Sequence, residues 1–449
     1  MELAKLIKNY FFTAFLTILL SIGTFYAFKA LLPEKLFMES AHNDNIINDS
    51  LMILAMSNPA KAEVDDTATT EYAPFDGLLR FFQKLFTLEE TKKGSVRIAY
   101  FGDSMIESDL IVQSIRKNYQ KKFGGQGIGF VPLSNLTHYL SGSIQYEYSP
   151  EWNTYSDFTS KKPPASLGIS GFVSLADDNA SVWTYYRSGS LALAHPTLFY
   201  GRSNNSDAKM TIITDKDTLD LVQLKPVGIL NKYSLTSWSR ELKIQFDNAG
   251  SIPFYGVNFS GGSGVNVDDF ALRGSSGLPL GRFNTALMNA FHREFDYDLI
   301  VLQFGANVLK PDLTEYNWYA AGMIEVVDHL KKCFPGADIL IISQADKATK
   351  YGMEIKTDTT LAALIQAQKK YAHNTGAAFI DLFKLMGGEG SMAEWVNETP
   401  PLAGADYTHF NIDGAKKIGN LIFEKLDEEY EKFKIQNNLY GEKDGEKNE

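Results

Sequence analysis

Four short segments of this chain carry residue types suited to nucleophilic acyl chemistry: Gly102-Asp103-Ser104-Met105, Arg273-Gly274-Ser275-Ser276-Gly277, Gly305-Ala306-Asn307 and Asp406-Tyr407-Thr408-His409. A hydroxyl nucleophile needs a base to take its proton, a carboxylate to hold that base in the right tautomer, and donors aimed at the oxyanion that develops during attack. Ser104, His409 and Asp406 fill the first three roles. The backbone N–H groups of Ser104 and Gly274 and the Asn307 amide are the candidate donors. Each segment is weak alone, since a serine after a strand is often only a helix cap and an asparagine there is often only a turn residue. His409 is one of seven histidines. Asp406, three positions earlier, singles it out, because that spacing lets carboxylate and imidazole share one turn.

These side chains need elements to carry them. Val96 to Tyr100 is a short apolar run rich in β-formers, and Asp109 to Phe123 follows with the pattern of an amphipathic helix, so Ser104 falls on a strand-to-helix connection. The alternation returns: strand Leu299 to Phe304, helix Tyr316 to Cys333, strand Asp338 to Ser343, helix Thr359 to Thr375, strand Ala378 to Leu382, and a helix from Ile412 to Leu426 just after His409. Strands alternating with helices predict a parallel sheet covered on both faces, with the site on loops at the strand carboxyl ends. A further helical pattern runs from Gly77 to Leu88, with Leu78, Leu79, Phe82, Leu85 and Phe86 at three- and four-residue spacings.

Between Ser134 and Gly256 the helical period disappears. Alternating or β-branched segments, Val182 to Tyr186, Ala208 to Thr214 and Leu242 to Phe246, are separated by Gly, Asn, Asp and Pro. This reads as an inserted β-domain. Its aromatic residues include Trp152, Trp183, Trp238, Tyr146, Tyr148, Tyr185 and Tyr186. They suit either stacking on sugar rings or filling a sandwich core, and Trp183 and Trp238 are the candidate substrate-binding pair.

Composition limits the partners. The chain has 449 residues, 44% of them hydrophobic, and a net charge of -11. That acidity argues against a nucleic-acid partner, which needs a basic stripe to neutralise phosphates. Cys333 is the only cysteine, which excludes an intrachain disulfide and a cysteine zinc cluster. No metal or organic cofactor is implied.

The N-terminus points to a membrane. Lys5 and Lys8 precede an uncharged run from Tyr10 to Phe28. As a helix it would be about 28 Å long at roughly 1.5 Å per residue, enough to span a bilayer. The competing reading is a cleaved signal peptide, but Phe25-Tyr26-Ala27-Phe28-Lys29 offers no small-x-small cleavage site. With basic residues on the short N-terminal side, the remainder is expected outside the cytoplasm. The expected arrangement is a single-pass inner-membrane anchor with the catalytic part in the periplasm.

The four segments resemble the blocks of the SGNH or GDSL hydrolases, which begin with the Ser, Gly, Asn and His named above. The resemblance covers about residues 95 to 133 and 257 to 427. Phe101-Gly102-Asp103-Ser104, then Asp109-Leu110, then Phe123-Gly124-Gly125-Gln126-Gly127-Ile128-Gly129-Phe130-Val131-Pro132 looks like the peptidoglycan O-acetylesterase branch. That branch also interrupts the hydrolase with a carbohydrate-module-like β-domain. Three positions depart from the family pattern. Met105 stands where leucine or, in this branch, histidine is usual, and Val308 stands where many relatives have an acidic residue. The second block lacks an asparagine-glycine pair, so Gly274 is assigned by position, with Gly277 the alternative.

The resemblance implies a flavodoxin-like three-layer α/β hydrolase interrupted by an inserted β-sandwich. The expected division is a cytoplasmic stub and anchor over 1–36, a tether over 37–75, the hydrolase over 76–133 and 257–430, the insert over 134–256 and a charged tail over 431–449. The expected activity is removal of O-acetyl groups from a cell-envelope polysaccharide through an acyl-serine. One rival is an O-acetyltransferase using the same triad, with a membrane acyltransferase partner supplying the acyl group. Another is a non-catalytic polysaccharide-binding protein.

The topology has a direct test. The protein should remain in the membrane fraction with its N-terminus intact, and protease added from the extracytoplasmic side should digest it. N-terminal sequencing of the mature chain decides the point, because a start at Ala30 or later would replace the anchor by a cleaved signal peptide.

Overall fold

The computed structural model describes residues 50–57, 75–134, 142–177, 181–189, 193–235 and 239–439, all within one compact unit, Asn48–Glu449. The expected membrane anchor, most of the tether, Trp238 and the last ten residues of the tail lie outside the described residues. No helix among the described residues is long and apolar enough to cross a membrane.

A five-stranded parallel sheet runs in the order Gly264–Ala271, Ser95–Gly102, Leu299–Gln303, Asp338–Ile342, Ala378–Ile380. Its strands are almost continuously buried, as expected when helices cover both faces. Successive side chains feed opposite layers. Ala99, Phe101, Ile300 and Leu302 join one core with helices Thr285–Phe295, Asn317–Cys333 and Leu361–Thr375. Ile98, Tyr100, Leu299 and Val301 join the other, with helices Leu79–Thr91, Leu110–Phe123 and Ile412–Gln436. The result is a three-layer α/β domain with a parallel sheet.

Several elements differ from the sequence expectation. The edge strand Gly264–Ala271 was not anticipated, because Asn266, Asp268 and Asp269 interrupt its apolar pattern. The helix Thr285–Phe295 and the hairpin Ala348–Tyr351/Glu354–Thr357 were also not anticipated. The last helix continues to Gln436 rather than yielding to a tail at 431, since Tyr430 and Phe433 pack on Phe82 with ring centroids 5.9 and 5.7 Å away. The short helix expected at Ile47 to Met56 is Ser50–Ser57, and Met52 and Ala55 pack against the core.

Residues from Gly127 to Ser260 form two antiparallel sheets, one of six strands and one of five, around their own apolar core. They begin earlier and end later than the 134–256 expected. Gly127–Val131 pairs antiparallel with Phe254–Ser260 instead of staying with the parallel sheet. The crossing is tight. A side chain at Gly125 (φ +117°) would sit 2.4 Å from the Val265 carbonyl oxygen, so only glycine lets the backbones approach.

One buried carboxylate joins the two parts. Asp268, fully buried on the parallel edge strand, accepts from Arg97 Nε (2.7 Å) and Nη2 (2.8 Å), from the Phe130 N–H (2.8 Å) and from the Tyr297 hydroxyl (2.7 Å). Arg97 also donates to Asn258 Oδ1 at 2.7 Å. Phe130 and Asn258 belong to the antiparallel sheet. Removing one partner would leave a buried charge uncompensated. Asp268→Asn should therefore lower stability by about 3–5 kcal/mol in denaturant unfolding. A loss below about 1 kcal/mol would show that this pair is replaceable.

Candidate active site

Three strand ends and one loop converge here. Ser104 follows Ser95–Gly102, Gly274 follows Gly264–Ala271, Asn307 follows Leu299–Gln303, and Asp406 and His409 lie on the loop before Ile412–Gln436. Ser104 Oγ lies 2.8 Å from His409 Nε2, and His409 Nδ1 lies 2.6 Å from Asp406 Oδ2. Asp406 Oδ1 accepts the backbone N–H groups of Thr408 (3.0 Å) and His409 (3.1 Å), so one side chain holds both the ring and its backbone. Partial burial pushes the Asp406 carboxyl upward, but the bonds from the His409 ring and from these N–H groups outweigh it and hold the carboxyl well below its usual range. With a proton on Nδ1 directed at Asp406, Nε2 is left to accept from Ser104.

Ser104 lies on the expected strand-to-helix connection, but not at the head of the long helix. A 3₁₀ turn, Glu107–Asp109, intervenes, with Ser108 (φ 71°) and Asp109 (φ 61°) both left-handed. This strained turn is held from several sides. Arg116 binds the Asp109 carboxylate with two bonds of 2.8 and 2.9 Å, and its Nε donates to the Val267 carbonyl at 2.8 Å. Ser143 Oγ also donates to Asp109, and the Gly142 N–H donates to the Ser108 carbonyl at 2.8 Å.

The two glycines of the second block differ in their surroundings. The Gly277 N–H is engaged by Ser275 Oγ at 3.0 Å, and Gly277 leads into a 3₁₀ turn whose Leu278 and Leu280 are buried. Gly274 has φ +81°, a conformation that favours glycine, and immediately precedes Ser275. The Ser275 carbonyl accepts from Asn307 Nδ2 at 3.1 Å, which ties the amide to the second block. Ser104, Gly274, Asn307, Asp406 and His409 are thus carried by neighbouring loops. Among the described residues no His/Cys/Asp/Glu cluster is suited to hold a metal ion.

Two supporting side chains had no assigned role in the sequence reading. Asp103 is fully buried and accepts the N–H groups of Met105 (2.9 Å) and Gly305 (3.3 Å), tying the nucleophile turn to the asparagine loop. Gln368 Nε2 donates to the Phe304 carbonyl at 2.6 Å, and its Oε1 accepts the Gln344 N–H at 2.9 Å, bracing the same loop from behind. Asp103 was visible within its motif. The two glutamines carried no signal, because only the fold brings them to Phe304. Val308, one of the departures from the family pattern, is fully buried in the core, and Met105 is buried at 7% exposure.

Of the candidate tryptophans, Trp183 lies on the outward face of its strand, where Val182, Thr184, Tyr186 and Ser188 are buried and Trp183, Tyr185 and Arg187 are not. The Lys243 ammonium sits 4.9 Å from its ring centroid. Trp152 and Tyr186 belong to the sandwich core.

A model of the GDSL-like lipase/acylhydrolase family matches residues 235–417, a range holding Gly274, Asn307, Asp406 and His409. Sequence comparison with curated proteins returns no match. A solved structure of a peptidoglycan O-acetylesterase is similar, with TM-score 0.64 and 18% identity over 79% of this chain and 96% of that one. A family two carbohydrate esterase from Cellvibrio japonicus is a more distant likeness, at TM-score 0.25 and 10% identity over 64% of this chain and 99% of that one.

Asp103 generates a pH prediction. Burial pushes its carboxyl up to about 6, against the opposing pull of the Met105 N–H, nearby His409 and the Gly305 and Ala306 N–H groups. The folded protein therefore binds this proton more tightly than the unfolded chain, whose carboxyl titrates near ~3.9. The group's contribution to stability is full below about pH 4 and is lost as pH rises through about 6. Asp103→Asn should remove that slope from unfolding curves measured between these limits, and identical slopes in the two proteins would refute it.

Proposed function

We propose that this chain, a carboxylic ester hydrolase of the SGNH/GDSL acylhydrolases, removes O-acetyl groups from a cell-envelope polysaccharide, with peptidoglycan the leading substrate. The observation that carries the reading is the unbroken line from Asp406 through His409 to Ser104, at 2.6 and 2.8 Å, beside Gly274 and Asn307. Two features support a polymeric substrate. The His409 and Asp406 side chains are 42% and 40% exposed, so the site is open enough to admit an acetyl group carried on a long strand. The similar solved structure is that of a peptidoglycan O-acetylesterase. The apolar run Tyr10 to Phe28 supports a membrane anchor that holds the catalytic domain in the periplasm.

In the first step Ser104 Oγ bonds to the acetyl carbonyl carbon while its proton passes to His409 Nε2. The N–H groups of Ser104 and Gly274 and the Asn307 amide receive the oxyanion, and Asp406 stabilises the imidazolium. Collapse breaks the bond to the sugar oxygen, which leaves with the proton from Nε2. Water, deprotonated by the same nitrogen, then attacks the acetyl-serine and releases acetate and free Ser104. The antiparallel sheets, as an inserted carbohydrate-binding-like sandwich, present the polymer.

Purified protein should hydrolyse an activated acetyl ester, and Ser104→Ala should reduce turnover by about 10⁴-fold or more and abolish the acetyl-enzyme seen by mass spectrometry. Asp406→Asn should be comparably severe, because the amide no longer fixes the tautomer. Asp413→Asn should be mild, since Asp413 is exposed in the first turn of the following helix. Turnover surviving in Ser104→Ala would end this reading.

A further inference from the structure

A groove of about 680 Å³ lies between the helix Leu110–Phe123 and the end of the five-stranded antiparallel sheet. One wall is a single helix face carrying Gln113, Lys117 and Gln120, spaced four and three residues apart. The other carries Arg187 and Arg240. Arg187 shares a carboxylate with Glu241 at 3.4 Å. Asp215 also lines this wall, with its carboxylate engaged by the Ser239 hydroxyl and the Arg240 backbone N–H. Lys117 and Arg240 make no ion pair with a carboxylate among the described residues. Lys117 Nζ donates to Gln113 Oε1 at 2.9 Å. Two cations without a carboxylate partner among the described residues therefore line one groove, on a chain whose net charge is -11.

Two other features adjoin the groove. Arg187 lines it, and Tyr185 and Trp183 follow on the same outward face of the strand Val182–Ser188. The two rings stand two residues apart, about 7 Å along a strand, so their spacing is of the order of a sugar unit. Their cross-strand neighbours are polar: Gln245 opposite Trp183, Lys243 and Glu147 opposite Tyr185, Glu241 and Gln145 opposite Arg187. Gly142 and Ser143 also line the groove, and they are the residues bonded to Ser108 and Asp109, four and five positions after the nucleophile. Aromatic rings, amides and cations arranged in sequence match a glycan whose sugars bear carboxylates. The amides suit its hydroxyls, and Lys117 and Arg240 suit its acid groups.

We propose that this groove is a binding site for a carboxylate-bearing polysaccharide strand, with Lys117 and Arg240 selecting acidic over neutral glycans and Trp183 and Tyr185 supporting the strand as it enters. The proposal rests on the polysaccharide reading given above, but binding is separable from the chemistry. The test uses the full chain carrying Ser104→Ala, titrated by calorimetry with oligogalacturonate and with a neutral gluco-oligosaccharide of the same length.

The acidic oligosaccharide should bind more tightly, and the preference should shrink with added salt. Lys117→Gln and Arg240→Gln should each raise its Kd by about 5- to 10-fold, with thermal midpoints showing that both variants are folded. Equal affinity for the two oligosaccharides, absence of binding, or indifference to both substitutions in folded protein would overturn the proposal. Acetate release by the unsubstituted enzyme is scored separately. Binding without release would retain the groove and reject the esterase, whereas release without selective binding would do the reverse.

Discussion

The fold depends on the buried pair of Arg97 and Asp268. Two neighbouring parallel strands supply the charges, and the antiparallel sheet supplies Asn258 and the Phe130 N–H, so one cluster fixes both the sheet edge and the attachment of the second sheet system. Burying two charges costs several kcal/mol per ion unless their bonding capacity is met. Here each Asp268 oxygen has two donors, and the Arg97 guanidinium also lies 4.2 Å from the centroid of the Phe295 ring. A register slip would leave the cluster unsatisfied. Its main effect is therefore on which arrangement forms, since a well-packed apolar replacement is often as stable.

That register brings the reacting groups together. Gly102 pairs with Gln303 and with Ala271, so the loops bearing Ser104, Asn307 and Gly274 leave the sheet at one level. A second tier of buried polar groups then refines the spacing. Asp103 bridges two of the loops, and Gln368, itself held by the Gln344 N–H, braces the asparagine loop at the Phe304 carbonyl. Such a tier matters because displacing a catalytic group by about 1 Å can cost roughly 100-fold in rate. Asp103 performs this work as a buried carboxyl whose pKa is raised to about 6, so its contribution to the nucleophile turn weakens as pH rises through that value.

The antiparallel sheets also reach this turn. Gly142 and Ser143 belong to their side of the molecule, yet they bond to Ser108 and Asp109, and Asp109 in turn holds Arg116. The strained left-handed pair is thus maintained by contributions from the helix, the parallel edge strand and the antiparallel sheets.

The order of the four segments, and with it the identity of Ser104, Asn307, Asp406 and His409, was legible in the sequence because acyl chemistry constrains residue type more tightly than packing does. The uninterrupted apolar runs at Val96 to Tyr100, Leu299 to Phe304 and Asp338 to Ser343 likewise announced buried parallel strands, since a strand covered on both faces has no polar alternation. The edge strand Gly264–Ala271 was hidden by the same logic: Asn266 and Asp268 are buried, and Asp268 is made tolerable by partners that are distant in sequence. The different surroundings of Gly274 and Gly277 were not legible either, because the bond from the Gly277 N–H to Ser275 Oγ depends on how the loop folds. The same holds for the aromatics. Trp183 faces out while Trp152 and Tyr186 face in, and which side of a pleated strand a residue occupies is set by its register against neighbours far along the chain.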